Sequence, residues 1–185
     1  KKNFKGLINT VIISPRRWGK TSLVHKVAKL ISEEEKNVII CQVDIFNCRT
    51  EEEFYTVFAN SLLKSTTTVW EEFVGGVKKY LGRLAPIVSI SDATQTYELS
   101  FGIDFKDSRL SYDEILDLPQ VIANDTKKRI VVCIDEFQNI NEYEEPLAFQ
   151  RKLRSHWQKH TSVCYCLYGS KRHMLLNIFN NYGMP

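Results

Sequence analysis

The chain has 185 residues, 43% of them hydrophobic and 25% charged, and a formal net charge of +3. That length suits one domain with a real core, and the balance excludes a disordered chain. The mild charge gives no bulk argument for nucleic acid, and no apolar run approaches the roughly 18 residues that a membrane span needs.

Lys1 to Gly6 reads as a polar, frayed approach to the first strand. Thr10-Val11-Ile12-Ile13 is strand-like. Next come Ser14-Pro15-Arg16-Arg17-Trp18-Gly19-Lys20-Thr21 and a helical run from Ser22 to Ile31 with Leu23, Val27, Leu30 and Ile31 on one face. Val38 to Phe46 is continuously apolar before it turns polar, as in a strand buried on both faces. Strand, helix, strand at this spacing predicts a parallel βαβ unit.

Thr50 and Glu53 form the pattern of a capping box opening a helix that buries Phe54, Val57, Phe58, Ser61 and Leu62. A second stripe, Trp70, Phe73, Val77, Tyr80 and Leu81, follows a polar interval. From Pro86 to Phe105 the period becomes two, and 87–91 and 97–103 predict a β-hairpin inserted into the main fold, either a partner contact or lid or a packing ornament. Ser111 and Glu114 start another helix, with Ile115, Leu118 and Ile122 inward and Pro119 inside it. Asn124 to Lys128 reads as a turn, and Ile130-Val131-Val132-Cys133-Ile134 as a buried strand. Pro146 fits a helix start, with Phe149, Leu153 and Trp157 toward the sheet. The basic residues Arg151, Lys152, Arg154, His156 and Lys159 of that helix read as a solvated face, or as a contact to a neighbour's nucleotide or to nucleic acid. Val163 to Tyr168 is a last strand, followed by a short helix with Met174, Leu175 and Ile178. Five cysteines, Cys41, Cys48, Cys133, Cys164 and Cys166, lie in or beside apolar runs without zinc-ligand spacing. They read as free thiols in a reducing, cytoplasmic compartment.

Two stretches carry chemistry. A strand, a tight loop ending Gly19-Lys20-Thr21, then a helix is the context of a phosphate-binding loop. Its backbone N–H groups and the positive helix end face a polyphosphate. Pro15, Arg16, Arg17, Trp18, Gly19, Lys20, Thr21 and Ser22 are the expected nucleotide contacts. Lys20 reaches the β- and γ-phosphates, and the Thr21 hydroxyl binds Mg²⁺. The motif prefers Gly where Ser14 stands; a positive φ there would cost about 1 kcal/mol. The second stretch is Asp135-Glu136-Phe137-Gln138, at the end of a buried strand expected beside the loop strand. Asp135 holds Mg²⁺, directly or through water, and Glu136 polarises the attacking water. Ser170 ends the last strand between the two motifs and, with Gln138, is expected to sense the γ-phosphate; a simple helix cap is its rival role.

Pro15 to Leu23, Asp135 to Gln138 and Leu167 to His173 resemble, in order and spacing, the archaeal and bacterial ATPase family of the AAA+/STAND P-loop superfamily. The resemblance implies a three-layer α/β core with a mainly parallel five-stranded sheet and the loop strand central. It also implies a helical or winged-helix lid, expected beyond Pro185, often followed by a nuclease-like or DNA-associated domain. The family's upstream Gly-Arg-Glu-like segment is absent. The expectation is one core over 1–185 that binds ATP and Mg²⁺ and hydrolyses ATP as a switch or motor, able to oligomerise and to act on DNA or a protein partner, and not on a membrane. The rivals are a nucleotide-gated interaction module with little hydrolysis and a small-molecule kinase, the latter disfavoured by the water-activating Glu136. No guanine-reading Asn-Lys-x-Asp occurs, which leans toward adenine.

Overall fold

The computed structural model describes residues 1–66, 87–90, 97–100 and 111–182. In chain order its elements are α1 (Lys2–Lys5), β1 (Thr10–Ile13), α2 (Lys20–Glu34), β2 (Val38–Asp44), α3 (Glu51–Thr66), β3 (Ile87–Ile90), β4 (Tyr97–Ser100) and α4 (Tyr112–Thr126). They continue with β5 (Arg129–Asp135), a 3-10 helix (Phe137–Glu142), α5 (Pro146–Trp157), β6 (Val163–Gly169) and α6 (Arg172–Tyr182). The helical stripe expected from Trp70 to Leu81 lies outside the described residues.

The apolar runs pair into a parallel sheet with strand order β1-β6-β5-β2. The architecture is the expected parallel α/β sheet flanked by helices. Its described sheet has four strands, where five were expected, with β1 at one edge and not at the centre. One pairing also differs from expectation. The loop strand β1 pairs with β6, and β6 separates it from β5. β1 and β2 are parallel but stand on opposite edges, so the first strand-helix-strand unit spans the whole described sheet.

Alternation divides the sheet's two faces. Ile130, Val132 and Ile134 of β5 and Val163, Tyr165 and Leu167 of β6 point with Cys41 and Val43 into a large core under α3, α4 and α5. Val131, Cys133, Cys164, Cys166 and Tyr168 point the other way, against Val24 and Ile31 of α2 and Phe4 of α1. Strands apolar on both faces are what a parallel sheet needs when helices cover both sides. The larger core is aromatic: Trp157 stacks on Tyr165 at 4.1 Å, and Phe54 meets Phe149 edge-on at 5.1 Å. Such rings are worth about 0.5–1.5 kcal/mol per pair beyond their buried area.

Local signals set the helix ends. Ser111 and Glu114 form both bonds of a capping box at α4, and Pro119 is buried within that helix. α4 runs through the expected turn to Thr126 and stops at Lys127, whose φ is 53°. Thr50 Oγ1 accepts from the Glu53 amide at 3.2 Å, while the Glu53 carboxylate reaches back to the Arg49 amide. The start of the chain is helical rather than frayed: Phe4 is buried, and Lys1 and Lys5 pair with Glu34 and Glu35. β3 and β4 pair antiparallel as the predicted hairpin.

The five cysteines are free and buried. Burial pushes the Cys41 thiol up to about 12 and Cys48 up to about 11, so neither is a nucleophile at neutral pH. The basic side of α5 is only partly a solvent face. Lys152 Nζ lies 5.7 and 5.5 Å from the ring centroids of Tyr55 and Tyr112. His156 sits between Asp113 and Asp117, at 3.3 and 2.7 Å. Among the described residues, no helix is long and apolar enough to cross a membrane.

Candidate functional site

β1, β6 and β5 run parallel, so their C-terminal ends share one edge of the sheet. In open α/β sheets, ligands bind at that edge. The loop over 14–19 leaves β1 there and feeds α2, which begins at Lys20. Gly19 occupies the cap position in the left-handed region, φ 71°, and no side chain caps the helix. The first-turn amides of α2 are thus open to an anion. Arg17 is also left-handed, φ 65°. Ser14 is not, so its departure from Gly carries no such backbone strain.

Lys20 is buried, and its Nζ donates to the carbonyls of Ser14 at 3.0 Å and Pro15 at 3.1 Å. The side chain therefore curls back over its own loop. A cavity of about 680 Å³ opens here. Arg16, Arg17, Gly19, Lys20, Thr21 and Ser22 line one side, and Glu136 and Ser170 the other. Trp18 points outward, 76% exposed. Pro15 and Trp18 are not among the lining residues.

The acid side is joined to the loop by one bond. Thr21 Oγ1 donates to Asp135 Oδ2 at 2.7 Å, bridging the end of β6. Asp135 Oδ1 accepts from the Glu136 amide at 2.8 Å. Burial pushes the Asp135 carboxyl above the usual carboxylate range; its bonds from Thr21 and Glu136 pull partly the other way. A cation beside it would relieve that penalty. The hydroxyl and carboxylate oxygens are hard donors of the kind Mg²⁺ takes. Among the described residues no cluster of three or more His, Cys, Asp or Glu is poised to hold a metal.

Glu136 turns the chain from β5 into the 3-10 helix in the left-handed region, φ 52°. Its Oε2 accepts from Gln138 Nε2 and, at 3.3 Å, from Ser170 Oγ. Ser170 thus sits between loop and acids, as β6's place in the sheet requires. Gln138 does not line the cavity. It is 1% exposed and bonds Glu136, so its expected contact to a γ-phosphate becomes a hold on Glu136. Among the described residues its Oε1 is buried without a partner.

Gly169 is a site residue that sequence reasoning missed. A Cβ there would lie 1.7 Å from Gln138 Oε1, so any larger residue would make that carboxamide shift. A glycine at the end of an otherwise apolar strand was the available signal.

Residues 5–175 match the family described as Predicted AAA-ATPase. The chain belongs to that family. Its fold is also that of solved structures at low identity. The Walker-type ATPase PABY2304 of Pyrococcus abyssi is 17% identical with a TM-score of 0.56, over 95% of this chain and 45% of that one. The Aeropyrum pernix ORC2 protein in its ADP form is 15% identical with a TM-score of 0.54, over 98% of this chain and 41% of that one. The same protein in ADPNP-ADP complexes is 15% identical with a TM-score of 0.52, covering 95% and 37%. The chain therefore spans less than half the length of these structures. No curated protein matches it. As a member of the AAA-ATPase family, it is an ATP-binding α/β core of the P-loop type.

Proposed function

We propose that this chain binds ATP with Mg²⁺ at the cavity between loop and acid turn and hydrolyses it slowly, as a nucleotide-dependent switch. The observation that carries this reading is the 2.7 Å bond from Thr21 to Asp135. It brings together the hydroxyl and the carboxylate that Mg²⁺ chemistry needs, from positions 114 residues apart.

Each residue around the cavity has a role in this reading. The loop amides and the Lys20 ammonium hold the phosphates, with Arg16, Arg17, Gly19 and Ser22 around them. Thr21 and Asp135 would hold Mg²⁺, which would supply positive charge against the phosphates. Glu136 orients water and accepts its proton, and Ser170 reads the terminal phosphate beside it. Catalysis in such a site is positioning and charge stabilisation. The Glu136 carboxylate is already engaged by Gln138 and Ser170. That favours slow turnover, and it is the one observation for the second reading, a nucleotide-gated module with little hydrolysis. DNA or a protein is the proposed partner, reached through further domains, and oligomerisation is part of the same proposal. The five buried free thiols support a reducing, cytoplasmic setting.

The test uses two variants. Lys20→Ala is expected to abolish ATP binding by calorimetry. Glu136→Gln is expected to keep binding and lose phosphate release. ATP binding by Lys20→Ala at the wild-type affinity would refute the site. Phosphate release measured with and without DNA separates switch from passive module.

A further inference from the structure

The loop carries two guanidiniums that the fold does not use. Arg16 and Arg17 are exposed and line the cavity facing Glu136 and Ser170, and no hydrogen bond or ion pair ties either to the described residues. Arg17 stands out further, because its φ of 65° is a backbone conformation that L side chains seldom adopt. Gly19, two residues on, takes φ 71° as a glycine, without a side-chain penalty. An arginine kept where glycine would be relaxed is strain held at a site, and strain at a site points to a role for the side chain.

The chemistry of the cavity says which role. A bound nucleoside triphosphate brings several negative charges. Lys20 offers one ammonium, a point charge. A guanidinium offers two parallel donors and matches two oxygens of one phosphoryl group. During hydrolysis the bond from the terminal phosphorus to the ADP oxygen breaks, and its electron pair leaves with ADP. A bond to the water oxygen forms, and the water proton passes to the Glu136 carboxylate. Negative charge is spread over the terminal phosphoryl oxygens meanwhile. That is where a fork of donors stabilises the transition state more than the ground state.

We propose that Arg17 is a catalytic residue supplied in cis by the phosphate loop, gripping the terminal phosphoryl group of ATP, so that turnover needs no arginine from a second copy of the chain. This rests on the ATP-hydrolysing reading of the same cavity. It goes beyond that reading by naming the transition-state cation and its source.

The experiment compares wild type with Arg17→Ala, Arg17→Gly and Arg17→Lys. Phosphate release is measured across a wide range of protein concentration, ADP and ATP affinity by calorimetry, and folding by thermal melts. Wild-type rate per molecule is expected to be independent of protein concentration. Arg17→Ala and Arg17→Gly are expected to lose about a thousandfold in kcat, the low end of what an arginine at a transferring phosphoryl group supplies. Arg17→Lys recovers little of it, since an ammonium lacks the fork. ADP affinity stays within about threefold of wild type, because the contact is to a group ADP lacks. Arg17→Gly melts at or above the wild-type temperature, since glycine accepts the backbone conformation.

Three results overturn the proposal: Arg17→Ala turning over within about threefold of wild type; a wild-type rate per molecule that climbs with concentration; or an ADP affinity that falls as far as kcat. Failure of the wild type to bind ATP at all is a separate result, and it removes the proposed function itself.

Discussion

The loop over residues 14–20 and the turn over 135–138 hold the same cavity from opposite sides, and they are built differently. The loop is open. Arg16, Arg17 and Trp18 are exposed, α2 has no side-chain cap, and Lys20 contents itself with its own loop's carbonyls. The turn is closed and wired. Asp135 is bonded to Thr21 and to the Glu136 amide, and Glu136 to Gln138 and Ser170. One side has donors waiting for an anion; the other has acids already satisfied. The difference teaches that the loop meets a ligand with free donors, while the turn holds its acids fixed in place.

The sharpest break of that division is Asp135→Asn. Mg²⁺ is expected to lose its effect on ATP affinity, and hydrolysis to fall at least about a hundredfold. Calorimetry with and without Mg²⁺ checks the first, and phosphate release the second. The ligand-free variant carries an opposite signature. Burial raises the Asp135 pKa in the fold, so the folded state holds this proton more tightly than the unfolded chain. The carboxyl's contribution to stability is therefore present below its unfolded pKa and is lost as pH rises through the folded value. At neutral pH Asp135→Asn should melt higher than wild type, and the gap should close as pH is lowered toward about 4, the unfolded carboxyl value. A gap that widens on acidification would show that the buried charge is not the penalty described.

Gly169→Ala comes next. Its methyl displaces the Gln138 carboxamide and with it the hold on Glu136. The expected outcome is a kcat lower by about tenfold with ATP affinity kept, since only orientation of the water-activating group is disturbed. An equal fall in affinity would mean that turn and loop are not separable.

A milder effect tests the far end of the sheet. His160 is buried against Tyr165 and Asp117, and burial lowers its pKa. The unfolded chain then binds the proton first, so stability is expected to fall as pH drops through about 6.5. His160→Gln should flatten that part of the melting profile and leave ATP affinity alone. The smallest expected effect is Ser14→Gly. Ser14 lies outside the left-handed region, so ATP affinity should change by less than about twofold.

Much of this was legible in the chain. Apolar runs marked β2, β5 and β6, and the stripe Phe149, Leu153 and Trp157 marked α5, because burial writes itself as periodicity. Gly19-Lys20-Thr21 and Asp135-Glu136 named the two sides of the cavity. Strand order was not legible, since pairing β1 with β6 joins Thr10 to Cys166, a contact no local pattern encodes. Nor was α1, whose single buried Phe4 gives no period. The left-handed turns at Arg17 and Glu136 left no sign either, because neither position holds the glycine or asparagine that usually announces one. The role of Gln138 was misplaced for a related reason. Three residues beyond the strand it was expected at the cavity, but the tight turn at Glu136 sends it inward beneath Gly169.

Trp18 has a practical consequence. Its indole stands in water on the loop between the lining residues Arg17 and Gly19, whereas Trp157 is sealed among aromatic rings in the core. The two should emit at different wavelengths, the loop residue to the red. With Trp70 replaced by Phe, the protein carries its own optical tag, and the arrival of a phosphate-bearing guest can be followed as a colour change without any added dye.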